Sequence, residues 1–123
     1  MGKKVLIADD ESHIVNILKF NLKKAGFDVI TAGNGEEAIT MITNELPDLI
    51  ICDVMMPKVT GFEVCQKVKN DENLKKIPFI LLTAKGQDVD KDAGFKYGAD
   101  HYLTKPFSPK SIVDKVTEIL AQA

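Results

Sequence analysis

Residues 48–63 read DLIICDVMMPKVTGFE. Leu49, Ile50, Ile51 and Cys52 form a short, wholly apolar run, the pattern of a strand buried on both faces in a covered parallel sheet. The run stops at Asp53, and Pro57 stands in the loop beyond it. Thr60 and Glu63 then sit at capping-box spacing, which predicts a helix beginning at Thr60. An acid at the tip of the most hydrophobic strand is either the place where the chain leaves the core or a carboxylate held out for chemistry.

The rest of the chain repeats this strand-then-helix pattern. Apolar strand-like runs fall at 4–8, 28–32, 78–83 and 100–103 besides 48–52. Helical periodicity follows each of them. The first helix is expected over 11–25, with Lys23 and Lys24 in its last turn and Gly26 as a left-handed cap. The second runs from Asn34, a good N-cap, to Glu45. The third starts at Thr60. The fourth covers 89–97 and contains Gly94, and the fifth begins with Ser108 as cap and Pro109 in the first helical position. Five such units predict an α/β fold of flavodoxin-like, doubly wound type: a five-stranded parallel sheet covered by five helices, with right-handed crossovers. The whole chain, 1–123, is expected to be one domain.

Composition narrows the function. The net charge is −2, and all sixteen basic residues are Lys. A chain without Arg lacks the residue best suited to bidentate recognition of phosphate or guanine, so direct nucleic-acid binding is not expected. The apolar runs are too short to span a bilayer, and no membrane partner is expected. Cys52 and Cys65 lack metal-ligand spacing and sit among apolar residues, which suits small buried hydrophobes in a reducing, cytoplasmic setting. His13 and His101 form no ligand pattern.

Open α/β sheets bind ligands outside the carboxyl ends of their strands. At those ends the sequence places Asp9 and Asp10, then Asp53, Thr83 and Lys105, with only Ala32 and Gly33 after the second strand. Three carboxylates on one rim repel, and a cation relieves that repulsion. Oxygen ligands with no His or Cys select a hard cation, Mg²⁺ first, which retains open positions for a phosphoryl oxygen. With Lys105 added, the filled site is nearly neutral and admits a phosphoryl group.

The stretches VLIADDE, PDLIICDVMMP, GFEV, IPFILLTAKG and GADHYLTKPFSP, with their spacing, resemble the receiver domains of two-component response regulators over essentially the whole chain. The chain looks most like single, stand-alone receivers of chemotaxis type, and the resemblance implies sheet order 2-1-3-4-5. It implies that Asp53 accepts a phosphoryl group from the phosphohistidine of a sensor histidine kinase in a Mg²⁺-dependent reaction. Asp10 and Asp53 would hold the ion directly, Asp9 through water, and the Met55 backbone carbonyl would be a further ligand. Thr83 and Lys105 would bind phosphoryl oxygens. Tyr102 would be the switch aromatic, with small Ala84 leaving room for it. Such a domain is a signalling module rather than an enzyme, although it catalyses its own phosphorylation and slow dephosphorylation. Its downstream protein partner would meet the face made by the fourth helix, fifth strand and fifth helix. A monomer is expected, with weak dimerisation on phosphorylation. Thr60 departs from the family, which often has Asp there.

The rival reading is an aspartyl-phosphate hydrolase of haloacid dehalogenase type. That chemistry needs a second acid two residues after the nucleophile, where this chain has Met55. On the first helix, Ile14, Val15, Leu18, Leu22 and Ala25 share the face expected to meet the sheet. His13, Ile17, Phe20, Asn21 and Lys24 are then the expected kinase-docking residues, with Ile17 and Phe20 as an exposed apolar pair.

Overall fold

The computed structural model describes residues 3–54, 56, 59–83, 99–104 and 108–121. The strands β1 (Lys4–Ala8), β2 (Asp28–Ala32), β3 (Leu49–Asp53), β4 (Phe79–Thr83) and β5 (His101–Thr104) form one sheet. Its order is β2-β1-β3-β4-β5, and every pairing is parallel. The described helices are α1 (Ser12–Lys24), α2 (Gly35–Glu45), α3 (Gly61–Lys69) and α4 (Pro109–Ala121). The last of these is the fifth helix of the sequence reading. The helix expected over 89–97, with Gly94, lies outside the described residues. Among the described residues, no helix is long and apolar enough to cross a membrane.

Alternation along the strands divides the core in two. Leu6, Ile50, Cys52, Phe79 and Leu81 face α2 and α3, where they meet Ala38, Ile42, Val64, Cys65 and Val68. Val5, Ile7, Leu49, Ile51, Ile80 and Leu82 face the other way, toward Leu18 and Leu22 of α1 and Ile112 and Val116 of α4. Every residue of β3 and β4 is buried. A strand with helices over both faces has no solvent side, which is why the 49–52 run carries no polar alternation.

The helix ends follow the caps written in the sequence. Asn34 accepts the Glu37 N–H at 2.9 Å. Thr60 and Glu63 make the full reciprocal box. The Ser108 hydroxyl oxygen accepts the Ser111 N–H at 3.0 Å. At the end of α1, Gly26 has φ of 102°, its N–H donates to the Lys23 carbonyl, and the Phe27 N–H reaches back to Leu22. Those two bonds make a Schellman turn, with Phe27 and Leu22 in one apolar cluster as its hydrophobic contact. Ala25, expected on the buried face, is instead exposed. It is the capping residue of α1, where the chain already turns away from the sheet.

One cation organises the edge of the sheet opposite the acids. Lys69, at the end of α3, donates to the Lys75 carbonyl at 3.0 Å, the Ile77 carbonyl at 2.8 Å and Asp100 Oδ2 at 2.7 Å. Asp100 Oδ2 also accepts the Phe79 N–H at 2.8 Å, so one ion pair fastens α3, the following loop and the start of β4 to the start of β5. Replacing the ammonium strips a partner from three oxygens at once. We expect Lys69→Met to lower stability by about 2 kcal/mol, read as a lower urea midpoint at unchanged slope.

Candidate functional site

The acids converge where the sheet delivers them. Ala8 is in register with Cys52, so Asp9 and Asp53, one residue further on, leave neighbouring strands side by side. Asp53 is the last residue of β3, and the chain beyond it stays tied to β4 through Val54 N–H to the Leu82 carbonyl at 3.0 Å. Asp9 is held by its own N–H on the Ala32 carbonyl at 3.1 Å, and its Oδ1 accepts the Glu11 N–H at 2.9 Å. The second strand, which offers no side-chain chemistry, thus supplies the carbonyl that anchors Asp9.

Asp9, Asp10 and Asp53 bring one carboxylate oxygen each to within 4.8 Å of one another. Asp10 is exposed, whereas Asp9 and Asp53 are only 2% and 4% exposed. Buried carboxylates at such separations are costly unless positive charge joins them. The donor set, all oxygen and clustered within reach of one small ion, fits a hard divalent cation better than any softer metal.

Thr83 ends β4 and is buried at 2% exposure, on the same carboxyl edge as Asp53. Its register partner is Thr104 of β5, so the strand that leads to Lys105 emerges beside it. Met55, Ala84 and Lys105 lie outside the described residues. Tyr102 is half-buried and packs against the α2–α3 side of the core.

The loop after Asp53 is clamped by close backbone approach. Gly61, the first residue of α3, donates its N–H to the Val54 carbonyl at 2.9 Å. A Cβ at Gly61 would collide with the Asp53 carbonyl oxygen and lie 2.8 Å from Val54 Cα. Only glycine lets α3 start directly against the backbone of Asp53. Thr60, the departure from the family pattern, caps the helix regardless.

Cys52 precedes Asp53 and is wholly buried, with its Sγ 3.5 Å from the Asp53 carbonyl. Burial, reinforced by the charges of Asp53 and Asp9, pushes its thiol well above the ordinary range. Burial pushes the Cys65 thiol up to about 12. Both therefore stay protonated at neutral pH, as core thiols rather than nucleophiles or ligands. His101 faces Lys115 and Glu118, and burial followed by the Lys115 charge lowers its pKa.

On α1, Leu18 and Leu22 are buried and Ile14 and Val15 pack beside them. Ile17 and Phe20 are 43% and 67% exposed. His13 and Lys24 are also exposed. Asn21 is half-buried and turned to its own helix, its Nδ2 donating to the Ile17 carbonyl at 2.8 Å.

Several of these contacts leave only faint marks in the sequence. The anchoring carbonyl of Ala32 leaves none, because any residue has one. The tight approach of α3 is marked by Gly61 standing where a better helix former would be expected.

Residues 5–117 match the family model of the response regulator receiver domain. The chain is 46% identical to the alkaline phosphatase synthesis transcriptional regulatory protein PhoP of Bacillus subtilis over all 123 residues, which is 50% of that protein. It spans about half the length of the curated relatives it matches. Among solved structures it is similar to the chemotaxis response regulator CheY4 of Vibrio cholerae, at TM-score 0.90 and 34% identity over 97% of this chain and 99% of that one. A CheY-like receiver domain protein from Methanospirillum hungatei superposes at TM-score 0.91 and 27% identity over 99% and 96% of the two chains.

Proposed function

Because the chain belongs to the response regulator receiver domain family, a phosphoacceptor signalling module, we propose that Asp53 is its phosphoacceptor and that 1–123 acts as a single receiver. The observation that carries this assignment is the convergence of Asp9, Asp10 and Asp53, with Asp53 the member at the tip of a strand buried along its whole length. The hydrolase alternative finds no support, since the matched family runs through nearly the whole chain and Met55 stands where a second acid is needed.

In the proposed reaction an oxygen of the Asp53 carboxylate bonds to the phosphorus of a kinase phosphohistidine. The phosphorus–nitrogen bond breaks, and its electron pair leaves on the imidazole nitrogen, which then takes up a proton. The stiffness of β3 fixes the attacking oxygen, so little orientational freedom remains to be lost. Asp9, Asp10, Asp53 and the Met55 carbonyl would hold Mg²⁺, with Asp9 reaching it through water. When bound, the ion supplies positive charge against the phosphoryl oxygens. The Thr83 hydroxyl donates to one of those oxygens, and the Lys105 ammonium pairs with another. The product is an acyl phosphate that this site also hydrolyses slowly.

The new charge on Asp53 draws Thr83 and Lys105 inward, and Tyr102 follows into the space beside Ala84. A downstream protein would read the change on the face carrying β5 and α4. Transcriptional control is stated of the longer PhoP relative and comes to this receiver only as a candidate output.

Three outcomes test the reading. A small acyl phosphate with Mg²⁺ should add one phosphoryl mass to the wild type and none to Asp53→Asn, with the fold retained by circular dichroism; equal uptake by both removes Asp53 from its role. Ile17→Ala with Phe20→Ala should slow transfer from a cognate histidine kinase by on the order of a hundredfold, while labelling by the small donor stays the same. If both rates fell together, the pair would belong to the core, and if neither fell, the kinase would dock elsewhere. Finally, beryllofluoride should turn Tyr102 from half-buried to buried in paired structures, and an unchanged rotamer would contradict the switch.

A further inference from the structure

Gly35, on a helix that carries no residue of the acidic cluster, packs directly against the loop that follows Asp53. It opens α2 just after the Asn34 cap, and its backbone is not left-handed, so conformational freedom does not explain it. Space does. A Cβ at Gly35 would collide with the Val59 carbonyl oxygen and lie 2.5 Å from Val59 Cβ and 2.8 Å from the Val59 carbonyl carbon. Carbon atoms in contact sit at about 3.5–4.0 Å, so a methyl group there would force Val59 or α2 to retreat by about 1 Å. Two of the three obstructing atoms are backbone, which no rotamer change can move aside.

Val59 is two residues before Gly61, and Gly61 in turn lies against the Asp53 carbonyl and is bonded to the Val54 carbonyl at 2.9 Å. The Thr60–Glu63 box between them fixes the start of α3 as a unit. A push on Val59 therefore passes through Thr60 and Gly61 to the backbone of Asp53. Gly33, two residues before Gly35, has nothing within 4 Å of where its Cβ would stand. The seat is specific to Gly35.

We propose that Gly35 is a positioning residue for the phosphoacceptor site: its lack of a side chain seats Val59 against α2 and so sets the height of Asp53 in the acidic cluster. This rests on the reading of Asp53 as phosphoacceptor and Mg²⁺ ligand. It adds a second clamp to that of Gly61, delivered from a helix that carries none of the proposed site residues.

The test compares wild type, Gly35→Ala and Gly33→Ala. Mg²⁺ affinity is measured by calorimetric titration without any phosphodonor. Gly35→Ala should weaken binding by about tenfold or more, and Gly33→Ala should leave it unchanged. Val59→Gly, which loosens the same seat without adding bulk, should also weaken binding and gives the answer if Gly35→Ala does not fold. Equal Mg²⁺ affinity in wild type, Gly35→Ala and Val59→Gly, whatever happens to the melting temperature, overturns the proposal. A wild type that binds no Mg²⁺ would instead sink the metal reading of the site. The positioning claim is then decided in the metal-free protein by amide exchange. A faster Gly61 N–H in Gly35→Ala, with the Phe79 N–H at the far edge unchanged, upholds it, and equal Gly61 exchange in both proteins overturns it.

Discussion

Two carboxylates, Asp9 and Asp53, are buried side by side at one edge of an apolar sheet, with the exposed Asp10 beside them. Ionised carboxylates removed from water repel one another with little screening. The two apolar layers below supply no charge to offset that repulsion among the described residues, and an oxygen-only cluster of this kind suits a hard cation. The rest of the structure holds the acids in place until it arrives. The register of β1 against β3 sets Asp9 beside Asp53. The Ala32 carbonyl and the Glu11 N–H fix Asp9 at its backbone and side chain.

The two edges of the sheet divide the work. At the amino edge, Lys69 and Asp100 close the gaps between α3, β4 and β5 with satisfied, charge-assisted bonds. At the carboxyl edge, the described bonds tie Asp9 to backbone groups of Ala32 and Glu11, beside Asp53 and the exposed Asp10. In β5 the pinned start neighbours His101, and the chain past Thr104 leads to Lys105. Tyr102, half-buried between them, packs against the α2–α3 side of the core.

Much of this was legible because local chemistry and tertiary position agree. The run Leu49 to Cys52 reads as a strand covered on both faces and is one, and Asn34, Thr60 and Ser108 mark helix starts whose hydrogen bonds form as their side chains require. The bounds of three strands, β3, β4 and β5, differ by one residue from those expected, since a pairing register and not hydrophobicity ends a strand. Ala25 was misplaced because helical periodicity carries no signal of where a Schellman turn lifts the chain from the sheet. The ion pair of Lys69 and Asp100 joins residues 31 positions apart, and many Lys and Asp are equally good candidates in the sequence. The seats under Gly35 and Gly61 depend on how closely two helices approach one loop, a distance no single residue encodes.

The central claim is that the phosphoryl group resides on Asp53 and not on its neighbours Asp9 and Asp10. Borohydride reduces an aspartyl phosphate to homoserine, so reducing the phosphorylated chain and mapping it by peptide mass spectrometry locates the modified residue directly. The account predicts homoserine at position 53, with Asp9 and Asp10 unmodified. Homoserine at position 9 or 10, or none anywhere in a chain that has taken up the phosphoryl group, would contradict it.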